Sequence, residues 1–182
     1  MDVSRLERYY NDNNYPIQYV NLIGIRDEAH PNTWNDKIGY WTADGLTSLY
    51  EGTTDPGDTY TIDPMNKKGC AHLFNGFHHE IWRIGQHHGY PALQQNRPVK
   101  IWRDKNENHK NDDDIIETGM FGINCHHGHL EKLVNRVGGY SAGCQVIRSI
   151  KDWHEFYDYL VKSGQTIFNY LLIDKDTAKN IL

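Results

Sequence analysis

The sequence predicts a mainly β fold with short helices, a β-rich α+β domain, and three observations predict it. Runs rich in β-branched and aromatic residues recur at short spacing, glycine, proline and asparagine turn signals separate them, and only one long segment has a helical period. Residues 3–10 fit a short helix. After Pro16, residues 17–26 (IQYVNLIGIR) alternate as a half-buried strand does. Further strand-like runs lie at 38–42, 45–52, 59–63, 79–85, 98–104, 121–126, 144–148 and 166–174. Asp55-Pro56-Gly57, Asn75-Gly76 and Gly138-Gly139 mark turns between them. The arrangement expected is mainly antiparallel. In 149–164, Trp153, Phe156, Tyr157, Leu160 and Val161 recur at helical spacing, and Gly164 suits a C-terminal cap. One amphipathic helix should therefore lie against the sheet.

A chain of 182 residues without repeats or a low-complexity linker is expected to form a single domain, 1–182. At this length folding buries about 68–70% of the unfolded chain's surface, so no disulfides are needed. The mean hydropathy of −0.75 is polar, yet 5 Trp, 12 Tyr and 5 Phe supply large buried areas. A net charge of −5 with scattered Lys and Arg offers no basic stripe, which argues against nucleic acid as a partner. No apolar run approaches the ~20 residues that span a bilayer, so membrane insertion is not expected. The opening MDVSRLERYYNDNNYP carries charges where a secretory segment needs an apolar stretch, which predicts synthesis in a cytoplasm without a signal peptide.

Three cysteines cannot all pair, so at least one thiol is free. Cys144 follows Ser141-Ala142-Gly143, and a histidine-rich stretch, FGINCHHGH, lies upstream at 121–129. A cysteine attacks as its thiolate, which a neighbouring imidazole can generate. If the strand ending in these histidines lies beside the one carrying Cys144, a Cys–His pair forms across neighbouring strands. Gly143 leaves room for a carbonyl substrate and lets backbone N–H groups at 143–144 face a developing oxyanion. The alternative is that Cys144 is a small buried hydrophobe.

His127-Gly128, followed at some distance by Ser141-Ala142-Gly143-Cys144, resembles the catalytic motif of the L,D-transpeptidase family, a His-Gly and then Ser/Thr-x-Gly-Cys. INCHHG (123–128) is similar to that family's IxIHG strand with one extra residue. Aligning Ile123 to His126 on the strand places His127 in the loop beyond it, which favours His126 as base with His127 as the alternative. TTDPGDTYTI (53–62) resembles another stretch of the same domain. The likeness is stronger to phage and bacterial proteins carrying TTxPG, KGxA, IGxH, ALxQ, WRDxN, GxFGINIH and SAGCQV in this order. Here those are Thr53–Gly57, Lys68–Ala71, Ile84–His87, Ala92–Gln95, Trp102–Asn106, Gly119–His126 and Ser141–Val146, within roughly 45–175.

The resemblance implies an L,D-transpeptidase-like β-sandwich with one amphipathic helix after the cysteine, acting on peptidoglycan stem peptides without a cofactor. Cys144 would form a thioester, His126 would shuttle the proton, Gly143 and Cys144 N–H groups would hold the oxyanion, and Ser141 would shape the loop. Two departures favour hydrolysis. The family's Arg or Asn after the cysteine is Val146 here, and the often polar residue before the glycine is Ala142. A lysis enzyme of phage (endolysin) type, acting at the bacterial wall, is the expectation; 3–3 transpeptidation, L,D-carboxypeptidation and a non-catalytic wall-binding or virion module are the alternatives.

Histidines at 77–80, 85–89 and 125–129 invite a zinc reading, but adjacent strand residues face opposite ways and neither HExxH nor CxxC is present. No metal is assigned. His87 or His88 can still approach the cysteine. DKNENHKNDDD (104–114) has oxygen ligands at alternating positions, yet His109 and Ile115 occupy places where a Ca²⁺ loop needs Gly and a carboxylate, so a solvated polar turn is favoured. Trp41, Trp82, Trp102, Tyr40 and Tyr90 are candidates for sugar stacking or for core.

Overall fold

The computed structural model describes residues 1–27 and 29–182. Eleven strands and four helices are described. Helix α1 (Val3–Asp12) precedes strands β1 (Val20–Arg26), β2 (Asp36–Thr42) and β3 (Thr47–Thr53). Helix α2 (Asp58–Ile62) leads to β4 (Cys70–Leu73), β5 (Gly76–His87), β6 (Tyr90–Gln95), β7 (Val99–Asp104), β8 (Ile116–Gly119), β9 (Cys125–His127) and β10 (Gln145–Ile147). Helix α3 (Ile150–Lys162), β11 (Ile167–Asp174) and α4 (Lys175–Ile181) complete the chain. The fold is mainly β with short helices, as composition and patterning require.

Eight strands close into a barrel in the order β1-β11-β5-β6-β9-β10-β3-β2, and β4-β7-β8 form a separate small sheet. A two-sheet sandwich was the expectation; closure of the large sheet gives its strands neighbours on both sides and leaves no edge there. Most pairs are antiparallel, but β1 pairs parallel with β11 and β9 with β10. In β1 and β11 successive residues enter different cores. Leu22, Tyr170 and Leu172 pack with Trp153, Phe156 and Leu160 of α3, while Ile23, Leu171 and Ile173 pack under α1 and α4. Burial on both faces accounts for the nearly continuous apolar run in β11.

The predicted amphipathic helix is α3. Ser149 caps it by accepting from the Asp152 N–H, and Gly164, at φ +75°, follows its end in the left-handed conformation that favours glycine. Each of its fully buried side chains contributes about 1.5–3 kcal/mol of apolar burial. The N-terminal helix also forms, capped by Asp2 and seated through Leu6 and Tyr10. Residues 59–63 are not a strand. They lie largely within α2, which starts after Gly57 and buries only Thr61. Strands β4, β6 and β8 and helix α4 escaped the pattern because they are short or interrupted by polar residues. Tyr40, Trp41, Trp82 and Trp102 are core residues, whereas Tyr90 is exposed. No helix among the described residues is long and apolar enough to cross a membrane.

Candidate active site

The barrel order places β6, β9 and β10 side by side. Register pairs Cys125 with Gln145 and His126 with Val146, and the Gln145 N–H donates to the Asn124 carbonyl at 2.8 Å. Cys144 therefore leaves the SAGC loop next to the end of β9. The β5–β6 hairpin folds over the same point and delivers His87. His87, His126 and Cys144 bring one ring nitrogen, one ring nitrogen and Sγ within 4.8 Å of one another. They line a cleft of about 980 Å³, whose wall includes Tyr60, Tyr90, Phe121, Leu130 and Tyr140. That volume lies at the upper end of the range for small-molecule and peptide sites.

Hydrogen bonds fix the proton positions. His126 Nδ1 lies 2.8 Å from the His127 carbonyl, which can only accept, so Nδ1 carries the hydrogen and Nε2 is the basic nitrogen. His126 Nε2 is buried and has no hydrogen-bond partner among the described residues. The Cys144 thiol donates to the Gly122 carbonyl at 3.4 Å. Asn124 Oδ1 accepts from the Gln95 N–H at 2.8 Å, which turns its amide nitrogen towards His87 Nδ1 at 3.0 Å. His87 Nδ1 is then the acceptor, and its neutral ring carries hydrogen on Nε2. The two rings stack, with centroids 4.7 Å apart.

Burial pushes the Cys144 thiol up to about 11 and lowers His126 to about 4, with His87 adding to the latter shift. Both are neutral near pH 7. The arrangement suits proton transfer during attack rather than a preformed thiolate–imidazolium pair. The strand here is Cys125–His127, so His127 ends β9 opposite Ile147 instead of lying in the loop beyond it; it lines the cleft but stands outside the three-residue cluster, and its Nδ1 donates to the Gly128 carbonyl at 2.7 Å.

Ser141 is buried and organises the loop as expected. Its hydroxyl donates to the Cys144 carbonyl at 2.8 Å and accepts from the Gly143 N–H at 3.1 Å. The Gly143 N–H is thus occupied, while the Cys144 N–H makes no hydrogen bond among the described residues. An oxyanion would find Cys144 N–H open, and Gly143 N–H only after Ser141 releases it. Gly143 itself has φ +128°, and a Cβ there would stand 2.6 Å from the Ala71 carbonyl of β4. Gly143→Ala is expected to displace the loop and lower any Cys144-dependent activity at least roughly 100-fold, as misplacement by an ångström does; comparing kcat/KM of the two proteins checks this.

The three cysteines are all free; Cys125 is buried outside the cleft, and Cys70 is buried behind the SAGC loop with its thiol 3.8 Å from the Ala142 carbonyl. Of the residues singled out from sequence, Cys144, His126, His127 and Gly143 line the cleft, and Ser141 supports it from beneath. Asn124 and the Gly122 carbonyl were missed. Their roles depend on a side-chain orientation and a backbone direction, neither of which leaves a motif. The His87, His126 and Cys144 donors are also close enough to surround one ion. No family model, curated protein or solved structure matches this chain.

Proposed function

We propose that this chain is a cysteine peptidase of peptidoglycan stem peptides, an L,D-transpeptidase-like domain of the phage lysis type that hydrolyses its acyl-enzyme. The observation that carries the reading is the free Nε2 of a tautomerically fixed His126 beside Cys144 Sγ in an open cleft. The motif order from Thr53 to Val146 supplies the substrate class.

In this mechanism the thiol turns from the Gly122 carbonyl to His126 Nε2 and gives up its proton as sulfur attacks the scissile carbonyl. The Cys144 N–H, with the His87 Nε2–H nearby, stabilises the oxyanion. His126 then returns the proton to the leaving amine, and a thioester remains on Cys144. Water, deprotonated by His126, attacks that thioester and releases the acyl group as a carboxylic acid and Cys144 as thiol. Hydrolysis is favoured over transfer to an amine because Val146 is buried with Trp34 and Val137, and Ala142 adds only a methyl to the cleft wall. Neither offers a polar hold for an acceptor peptide.

Mass spectrometry of muropeptides released from purified sacculi tests the proposal. Shortened or uncrosslinked stems are expected, and they should vanish after iodoacetamide treatment, because Cys144 is the cysteine that opens to the cleft. New 3–3 cross-links would replace hydrolysis by transpeptidation. Unchanged sacculi would overturn the enzymatic reading in favour of a wall-binding module.

A further inference from the structure

A second cluster of titratable groups, on β4, the end of β7 and the loop after it, lies outside the cleft that Cys144 lines. His72, in β4, faces Trp102 of β7 across the small sheet, and their rings stack with centroids 3.8 Å apart. Asp104 ends β7. Its carboxylate turns the following loop by accepting the Asn108 N–H at 3.0 Å and the His109 N–H at 2.7 Å. That loop brings His109 back over the sheet, so His72, Asp104 and His109 each place a donor atom within 4.8 Å of the other two.

The outer faces of both rings meet carboxylates. His72 Nδ1 lies 2.8 Å from Asp55, and His109 Nε2 lies 3.5 Å from Asp58. The remaining nitrogens, His72 Nε2 and His109 Nδ1, are buried and have no hydrogen-bond partner among the described residues. An unpaired buried imidazole nitrogen costs free energy unless something fills its lone pair. His72 is only 1% exposed, so bulk water does not reach it freely. Histidines that bind metals donate their second nitrogen to a carboxylate, which fixes the tautomer and raises ligand basicity; His72 has that outer bond to Asp55, and Asp58 stands 3.5 Å from His109 Nε2.

We propose that His72 Nε2, His109 Nδ1 and the Asp104 carboxylate form a binding site for a divalent transition ion of the zinc class. Two imidazoles and one carboxylate suit zinc or cobalt rather than Ca²⁺ or Mg²⁺, which take oxygen ligands. A small cleft of about 20 Å³, lined by His109, Asp55 and Trp102, opens on the His109 side of the cluster and has room for one water. Charge agrees with a cation. Asp55, which pairs with the Arg26 guanidinium at 3.0 Å and with His72 at 2.8 Å, lies beside the cluster, and Asp58 and Asp104 stand close by. The site is structural: it ties the 105–114 loop to β4, whose Ala71 carbonyl backs Gly143 of the SAGC loop. The Asp104–Asp112 segment therefore contributes to a metal site through Asp104 and His109, not as an oxygen-lined Ca²⁺ loop; Asp112 and Asp113 are occupied by hydrogen bonds within the turn.

The chelator-stripped full chain, titrated with Co²⁺ and separately with Zn²⁺, decides the matter. One equivalent should bind, raise the thermal midpoint, and give a cobalt spectrum without a thiolate-to-metal charge-transfer band, because no cysteine takes part. Cys144→Ala should bind identically and His109→Ala should lose the equivalent. Asp58→Asn, which keeps the side chain's shape and an oxygen that can accept from Asn32, should weaken binding about tenfold. Absence of stoichiometric binding to the wild-type chain overturns the proposal. So does a thiolate band that disappears in Cys144→Ala, since that outcome puts the ion at His87, His126 and Cys144 instead.

Discussion

Cys144→Ala is expected to abolish release of stem-peptide fragments from sacculi while leaving the fold intact. The substitution removes only the sulfur that lies among His126, His87 and the Gly122 carbonyl. Without it no thioester can form, and loss of the nucleophile costs roughly 10³-fold or more in turnover. The structural cost is small. Cys144 belongs to a minor cluster with Trp34, Val137 and Val146, away from the main core, so a loss of about 1 kcal/mol is expected. In a chain of this length that moves the thermal midpoint by about 2–4 °C. Muropeptide mass spectrometry beside a thermal melt separates the two effects. Full activity in the variant would end the nucleophile assignment.

The second large effect separates two neighbouring histidines. His126→Ala should lower kcat/KM by about 10²–10⁴-fold, the range for removing a general base, whereas His127→Ala should stay within a few-fold of wild type. The reason is geometric: His126 belongs to the cluster with Cys144, and His127 does not. A pH profile sharpens the distinction. Burial lowers His126 to about 4, so the acid limb of kcat/KM should fall near pH 4 instead of near the ordinary ~6.5 of a free imidazole. The same shift makes the fold acid-sensitive. Between about pH 6.5 and 4 the unfolded chain takes up this proton and the folded chain does not, so stability falls as pH drops through that window, by up to about 1.4 kcal/mol per pH unit. Above pH 6.5 the group is neutral in both states and adds no pH dependence. A limb near pH 6.5 that persists in His126→Ala would assign the base elsewhere.

The two histidines also show how far local pattern reaches. The runs at 121–126 and 144–148 read as strands, of which Cys125–His127 and Gln145–Ile147 form; that these two pair, in parallel, and so bring Cys144 to His126 is decided only in the folded chain. Which ring nitrogen is basic is not legible, because the His127 carbonyl fixes it only once β9 has its final backbone direction. The same holds for His87: its motif position raised it as a candidate, but only the β5–β6 hairpin folding over β9 sets it against His126. Residues 59–63 erred in the other direction. Their β-branched and aromatic composition suggests a strand, whereas the chain turns after Gly57 and the Thr61 N–H bonds back to the Gly57 carbonyl, closing a helical turn.

By itself the sequence determined a mainly β domain, the amphipathic helix with Gly164 beyond its end, at least one free thiol among three cysteines, and Cys144 and His126 as a candidate pair. These follow from period, turn chemistry and near-neighbour order, which are local properties of the chain. The tertiary structure alone decided that the sheet closes into a barrel, that Ser141 occupies the Gly143 N–H, and that Asp55, His72, Asp104 and His109 converge at β4. Those contacts join residues far apart in sequence, and their geometry is set by packing and hydrogen-bond satisfaction, which leave no periodic trace in the order of residues.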